Sequence, residues 1–70
     1  MELKNNKHWV DINPTRRYRV DEVAKILNCS RSMVYKLLYM GELEWVQIGK
    51  VYRVPGWSII DYLEANSSQY

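Results

Sequence analysis

The sequence has few of the residues from which catalytic and metal sites are usually built. Its single histidine, His8, and its single cysteine, Cys29, lie far apart in the 70-residue chain, and together they cannot supply the usual four ligands of a structural zinc site. Three glycines, at positions 41, 49 and 56, are too scattered for a phosphate-binding loop. We therefore expect a protein that is not an enzyme and that uses no metal, cofactor or small-molecule ligand.

Disulfides and long apolar runs are also missing. A single cysteine cannot form an internal disulfide, which fits a reducing compartment. The N-terminal stretch MELKNNKHWV lacks the apolar core of a signal peptide, and no run reaches membrane-spanning length. We expect a cytoplasmic protein with no membrane partner.

Charge is distributed unevenly along the chain, although the net charge is only +2. Residues 1–40 carry eight basic and four acidic side chains, whereas residues 41–70 carry two basic and four acidic ones. Seventy residues form at most one small domain with one hydrophobic cluster. A basic half and an acidic half in such a domain predict that one face meets a polyanion.

The first half of the chain shows the pattern of two short helices. Apolar residues at helical spacing in residues 20–27 predict a first helix that ends at Asn28, because asparagine tolerates a left-handed backbone. Ser30 is placed to cap a second helix, which has an apolar stripe in residues 34–38 and Gly41 after its end. So tight a turn forces the two helices to cross steeply, as in a helix-turn-helix.

Strand spacing follows, and then a third helix. Apolar and polar residues alternate on both sides of Gly49-Lys50, which predicts a β-hairpin with a type II′ turn. Pro55 is expected to end the second strand, because proline has no amide hydrogen to donate. A third helix is predicted over residues 57–64. The predicted fold is α+β: a small winged helix-turn-helix over residues 18–64, with three short helices and a two-stranded β-hairpin wing between the second and third. Residues 1–17 are interpreted as a flexible basic arm and residues 65–70 as a polar tail.

Three groups of side chains are candidates for contacting double-stranded DNA. The first turn of the second helix is the end that points at base edges in helix-turn-helix docking, and arginine can bond to both O6 and N7 of guanine. A lysine at the hairpin turn can reach a phosphate, and a basic arm can enter the minor groove. The predicted DNA-binding residues are Arg16, Arg17 and Arg19 in the basic N-terminal segment, Ser30, Arg31, Ser32, Met33, Tyr35 and Lys36 on the helix, and Lys50 and Arg53 on the wing.

Residues 17–63 resemble the excisionase-type, MerR-like winged helix family. The motifs that carry the resemblance are DEVAKIL, CSRSMVYKLL, GEL and the wing IGK-x-YRVP, in that order. The resemblance implies recognition-helix contacts at Arg31, Ser32, Met33, Tyr35 and Lys36 and wing contacts at Lys50 and Arg53. Arg19 departs from the family pattern, which often has a serine or threonine cap there. Gln47 and Val51 replace residues that are often basic, so a less basic wing is expected.

The resemblance implies an excisionase, also called a recombination directionality factor. Such proteins bind and bend DNA near the end of a mobile element and help an integrase, a tyrosine recombinase, to excise it. Two alternatives remain open from the sequence: a small transcriptional regulator with the same fold, and a protein-interaction adaptor. An integrase gene next to this one would favour excision, and a divergent promoter without one would favour regulation.

Two apolar residues of the third helix stand outside its core stripe. Trp57 and Ile60 are candidate contacts with an integrase or with a neighbouring copy on DNA. The alternative is that both side chains fold back and complete the core, which a domain of this size needs.

Overall fold

The computed structural model describes residues 11–67. Its elements in chain order are β1 (Arg17–Arg19), α1 (Val20–Leu27), α2 (Arg31–Tyr39), β2 (Val46–Ile48), β3 (Val51–Pro55) and α3 (Gly56–Ser67). The predicted α+β winged helix-turn-helix is confirmed, with three helices and the hairpin wing between α2 and α3. The sheet has three antiparallel strands in the order β1-β3-β2, because β1 pairs with β3 from Arg17 opposite Pro55 to Arg19 opposite Arg53.

Hydrogen bonds and backbone conformation define the two ends of helix α1. The Glu22 carboxylate accepts a hydrogen bond from the Arg19 amide at 2.8 Å, which is half of a capping box; the guanidinium of Arg19 has no acceptor for the other half. The helix ends at Asn28, whose φ of 57° is left-handed. The amide of Cys29 then donates to the carbonyl of Ala24 at 2.9 Å, so the end is closed as predicted.

Helix α2 has the predicted cap at each end. The Ser30 hydroxyl oxygen accepts from the Met33 amide at 3.1 Å. After the last turn Gly41 takes a φ of 80°, and the Glu42 amide donates to the Leu37 carbonyl at 2.9 Å. These bonds satisfy amides and carbonyls that a helix end leaves free.

The wing is the β2–β3 hairpin. Ile48 pairs with Val51 across a two-residue turn, and Gly49 has a φ of 65° while Lys50 does not have a positive φ. A positive φ at the first turn position alone is the pattern of the predicted type II′ turn. Strand β2 is an outer strand of the sheet, and all three of its residues are exposed.

The interpretation of residues 1–17 as a flexible arm is wrong for residues 11–17. Ile12 is buried in the core, and the Asn13 amide donates to the Tyr18 hydroxyl at 2.9 Å. The amides of Gly56 and Trp57 donate to backbone carbonyls of this segment at 2.8 and 3.1 Å. The segment is ordered because the start of α3 needs acceptors for its free amides. Residues 1–10 of the predicted arm lie outside the described residues.

The predicted tail also begins too early. Helix α3 continues to Ser67, past the predicted end at residue 64, and the Asn66 side chain donates to the Tyr62 carbonyl at 2.7 Å. That bond links the last turn of the helix to the turn before it. Residues 68–70 lie outside the described residues.

One hydrophobic core holds the elements together. Leu43, Val23, Val34, Val54 and Ile59 are its fully buried side chains, contributed by the α2–β2 loop and by α1, α2, β3 and α3. Every helix supplies at least one of them, and β3 of the wing supplies Val54, so α2 and the wing pack on the same core. Within residues 11–67, no helix has both the length and the apolar character needed to cross a membrane.

Candidate nucleic-acid interface

The exposed face of α2 carries the predicted recognition residues. Val34, Leu37 and Leu38 are buried, so the side chains between them turn outward. The residues on the exposed face are Arg31, Ser32, Met33, Tyr35 and Lys36. Within residues 11–67, no carboxylate lies within ion-pair distance of Arg31 or Lys36. Both cations therefore face solvent, Arg31 in the first turn of the helix, where helix-turn-helix proteins read bases, and Lys36 in its last turn.

A second surface joins the wing to α2. Arg19, Lys50 and Arg53 line a cleft of about 300 Å³ together with Tyr35, and Arg19 stands directly opposite Arg53 in the β1–β3 register. Among the described residues that line it, Asp21 is the only acidic one. We call this surface the basic cleft. It brings together predicted site residues from three separate parts of the sequence.

Arg16 and Arg17 do not line the basic cleft. The Nη2 atom of Arg16 lies 3.2 Å from Oε2 of Glu22, and its guanidinium lies 4.8 Å from the centre of the Tyr18 ring. These contacts fix Arg16 within the protein, although an exposed ion pair stabilises by only about 1 kcal/mol or less. Arg17 is exposed on β1. Arg19 lies 3.9 Å from Glu22, a longer and weaker pairing that leaves its guanidinium available.

An aromatic groove beside the basic cleft was not predicted. It has a volume of about 460 Å³ and is lined by Tyr35, Leu38, Tyr39, Trp45 and Tyr52. The rings of Trp45 and Tyr52 meet edge to face with their centres 4.9 Å apart. The spacing of the two α2 tyrosines, four residues apart on one helix face, is the sequence signal that could have indicated half of it.

The two candidate partner contacts on α3 differ in burial. Trp57 is 48% exposed, which leaves it free to touch another molecule. Ile60 is only partly exposed and packs against the core cluster. The structure therefore favours the second of the two interpretations of Ile60, in which its side chain completes the core. A domain of this size needs the extra buried apolar area.

Cys29 lies in the turn between α1 and α2 and packs against the core. Burial raises the pKa of its thiol, so at neutral pH it stays protonated and behaves as a small apolar side chain. Among the described residues there is no group of three metal-ligating side chains. His8 lies outside them.

Comparison with known proteins agrees with this geometry. A Saccharopolyspora erythraea protein named "Probable excisionase" is 44% identical to this chain over 43 residues, which are 61% of this chain and 44% of that protein. A Mycobacterium tuberculosis protein named "Putative DNA-binding protein" is 36% identical over 52 residues, 74% of this chain and 67% of that protein. This chain therefore spans less than half of the first relative and about two thirds of the second. No solved structure matches.

The family described as "Helix-turn-helix domain" matches residues 17–67. That range begins at the first residue of β1 and ends at the last residue of α3, so it includes the capped helix pair, the wing and the basic cleft. A helix-turn-helix places its second helix in the major groove of DNA. The chain belongs to the helix-turn-helix domain family, which binds DNA.

Proposed function

We propose that this protein is an excisionase of the MerR-like winged helix type. It binds a specific duplex sequence near the end of a mobile element, bends the DNA, and helps an integrase to excise the element. One observation carries the proposal: the capped helix α2 and the basic cleft form one continuous surface, because Tyr35 lies on the helix and also lines the cleft.

Sequence readout is assigned to the first turn of α2. Arg31 reads a guanine, Ser32 bonds to a base or phosphate, and Met33 contacts a thymine methyl group. Lys36 and the hydroxyl hydrogen of Ser30 contact phosphates, since the oxygen of Ser30 already accepts from the Met33 amide. The exposure of these residues at the start of α2 and along one of its faces supports these roles.

Backbone binding is assigned to the basic cleft. Arg19, Lys50 and Arg53 present three positive charges around one concave surface, which suits a phosphate backbone that carries one charge per about 1.7 Å of duplex. Arg17 extends the same charge along β1. Arg16 contributes less, because binding a phosphate requires it to leave Glu22.

Protein contact is assigned to Trp57, which is the exposed apolar residue at the start of α3. Its partner is an integrase or a neighbouring copy on DNA. Trp57→Ser is expected to leave binding to one isolated DNA site unchanged and to weaken cooperative binding or excision. Unchanged cooperativity and excision would remove Trp57 from the contact surface.

The experiment that tests the function has two stages. Purified protein is first used to select duplexes from a random library, and we expect one enriched sequence bound at least about 1000-fold more tightly than random duplex. The enriched sequence is then located by footprinting in the DNA around the gene. Sites beside a recombination end, together with stimulation of excision by the neighbouring integrase, support the proposal.

Two outcomes contradict it. Sites that lie only in a promoter, with no effect on excision, would identify a transcriptional regulator with the same fold. Absence of any enriched sequence would exclude specific DNA binding and leave a protein-interaction adaptor.

A further inference from the structure

The tip of the wing is apolar, although it projects into solvent. Ile48 and Val51 pair directly across the turn and are 53% and 45% exposed. Because they are opposite each other in an antiparallel pair, their side chains lie on the same face of the hairpin. The tip therefore presents two adjacent branched apolar groups, with Lys50 as the one charged side chain of the turn.

Hairpin packing does not account for these two side chains. Tyr52 contacts Trp45, and Val54 is fully buried in the core, so the inward face of β3 has its partners. Ile48, Val51 and Val46 lie on the opposite face by strand alternation, together with Arg53. If the tip contacted only solvent, polar residues would be expected here, because exposed apolar groups on an outer strand promote association with other chains.

The surroundings of the tip indicate what covers it. Val51 itself lines the basic cleft, next to Arg19, Lys50 and Arg53. An apolar tip with Lys50 at its turn and Arg19 and Arg53 farther down the sheet is complementary to a polyanion that has an apolar interior. Stacked duplex DNA is such a molecule. Another protein surface would have to be strongly acidic around a small apolar pocket.

We infer that Ile48 and Val51 form a wedge that enters the minor groove of the bound duplex and partly unstacks one base step. The basic cleft holds the phosphates on either side, and the wedge converts binding into a kink. Insertion of apolar side chains between base steps kinks DNA by about 20–90°. This inference rests on the proposed DNA binding and adds the residues that produce the bend.

The test compares two substitutions on the same strand. Ile48→Thr removes apolar volume at the tip while keeping a β-branched side chain, and Val46→Thr makes a similar change two residues away on the same face. Both are measured on the duplex that the selection experiment enriches, carrying 2-aminopurine at successive positions of the site in a set of otherwise identical molecules. Energy transfer between dyes at the duplex ends reports the bend.

The wild-type protein and Val46→Thr are expected to raise 2-aminopurine fluorescence at one step, because unstacking relieves its quenching. Ile48→Thr is expected to abolish that rise and to decrease the bend by roughly 20° or more, while it remains folded by circular dichroism. The double variant with Val51→Thr should behave as Ile48→Thr does, or more strongly.

Several results would overturn the wedge. If the wild-type protein binds and bends the duplex without raising fluorescence at any position, or if Ile48→Thr retains the full rise, no base step is opened by the tip. If Ile48→Thr keeps the bend but loses cooperative binding, the tip contacts a second copy instead. In each of these three cases specific binding persists, so the proposed function stands. Only loss of binding by the wild-type protein contradicts both the wedge and the proposed function.

Discussion

Arg31 and Lys36 occupy the same exposed helix face but differ in position along it. Arg31 is the first residue of α2, whereas Lys36 lies in its last turn. In helix-turn-helix docking, the N-terminal residues of the recognition helix contact base edges. Arg31→Ala is therefore expected to cost about 1–3 kcal/mol on the selected duplex and to relax specificity at one base pair.

Lys36→Ala is the control variant. The affinity of each variant is measured by titrating it into the selected duplex and into random duplex. Lys36→Ala should weaken binding to both duplexes to a similar extent, because a phosphate contact carries no sequence information. Equal losses on the two duplexes for Arg31→Ala would remove it as a base reader.

Gly56 fixes the contact between the N-terminal segment and α3. A Cβ atom added there would overlap the carbonyl oxygen of Asn13 and lie 3.1 Å from Cα of Pro14. Both neighbours are backbone atoms that cannot rotate away. We expect Gly56→Ala to destabilise the fold by about 2 kcal/mol or more and to lower Tm by roughly 10 °C in thermal unfolding.

Gly41→Ala is the matched control. Gly41 has a φ of 80° but no atom within 4 Å of an added Cβ, so alanine would meet only backbone strain of about 1–2 kcal/mol. The larger loss is expected at Gly56. Equal stability of Gly56→Ala and the wild-type protein would mean that residues 13–14 do not lie against α3.

At the scale of elements, α3 shows that the small core includes an apolar residue outside the core stripe predicted for that helix. Ile60 packs against the core cluster, whereas Asp61 beside it is exposed. Ile60→Lys loses apolar burial, although the long lysine stem can carry its charge toward water. We expect a loss of about 1–2 kcal/mol and a Tm lower by roughly 5–10 °C.

Asp61→Lys is the control for charge, and it should leave Tm nearly unchanged. Thermal unfolding of both variants followed by circular dichroism measures the difference. A normal Tm for Ile60→Lys, together with lost cooperativity on DNA, would return Ile60 to the partner surface.

The elements that could be predicted from sequence are those with local chemistry at their ends. Asn28, Ser30, Gly41 and Gly49 each require a particular backbone or hydrogen bond, and each has it in the structure. These features depend on neighbours within a few residues. For that reason both helices of the helix-turn-helix and the wing turn followed from the sequence.

The features that were missed depend on contacts between distant parts of the chain. Strand β1 has three residues and exists because β3 pairs with it, and Ile12 is buried with no periodic pattern around it. The aromatic groove joins α2 to residues 45 and 52 across the wing. Periodicity reports one element at a time, so it can indicate the two tyrosines on α2 but not the contacts that join one element to another.

At the scale of the whole molecule, the charges combine into one surface although the net charge is only +2. Glu22 is paired with Arg16, and the acidic residues of the second half lie on the loop after α2 and on α3. Recognition helix and basic cleft together hold five cations: Arg19, Arg31, Lys36, Lys50 and Arg53. Under the proposed function, this surface, and not the total charge, sets the strength of attraction to DNA.

Salt dependence measures how many of these cations reach phosphates. If all five do, log K should fall against log salt with a slope of about −4 to −5, since each neutralised phosphate contributes about −0.9. Lys50→Ala should make the slope shallower by about one. Lys25→Ala, an exposed change on α1 away from the residues that line the cleft, should leave it unchanged. A wild-type slope near −1 would mean that most of these cations face solvent in the complex, and the joined surface of helix and cleft would then not be the DNA-binding face.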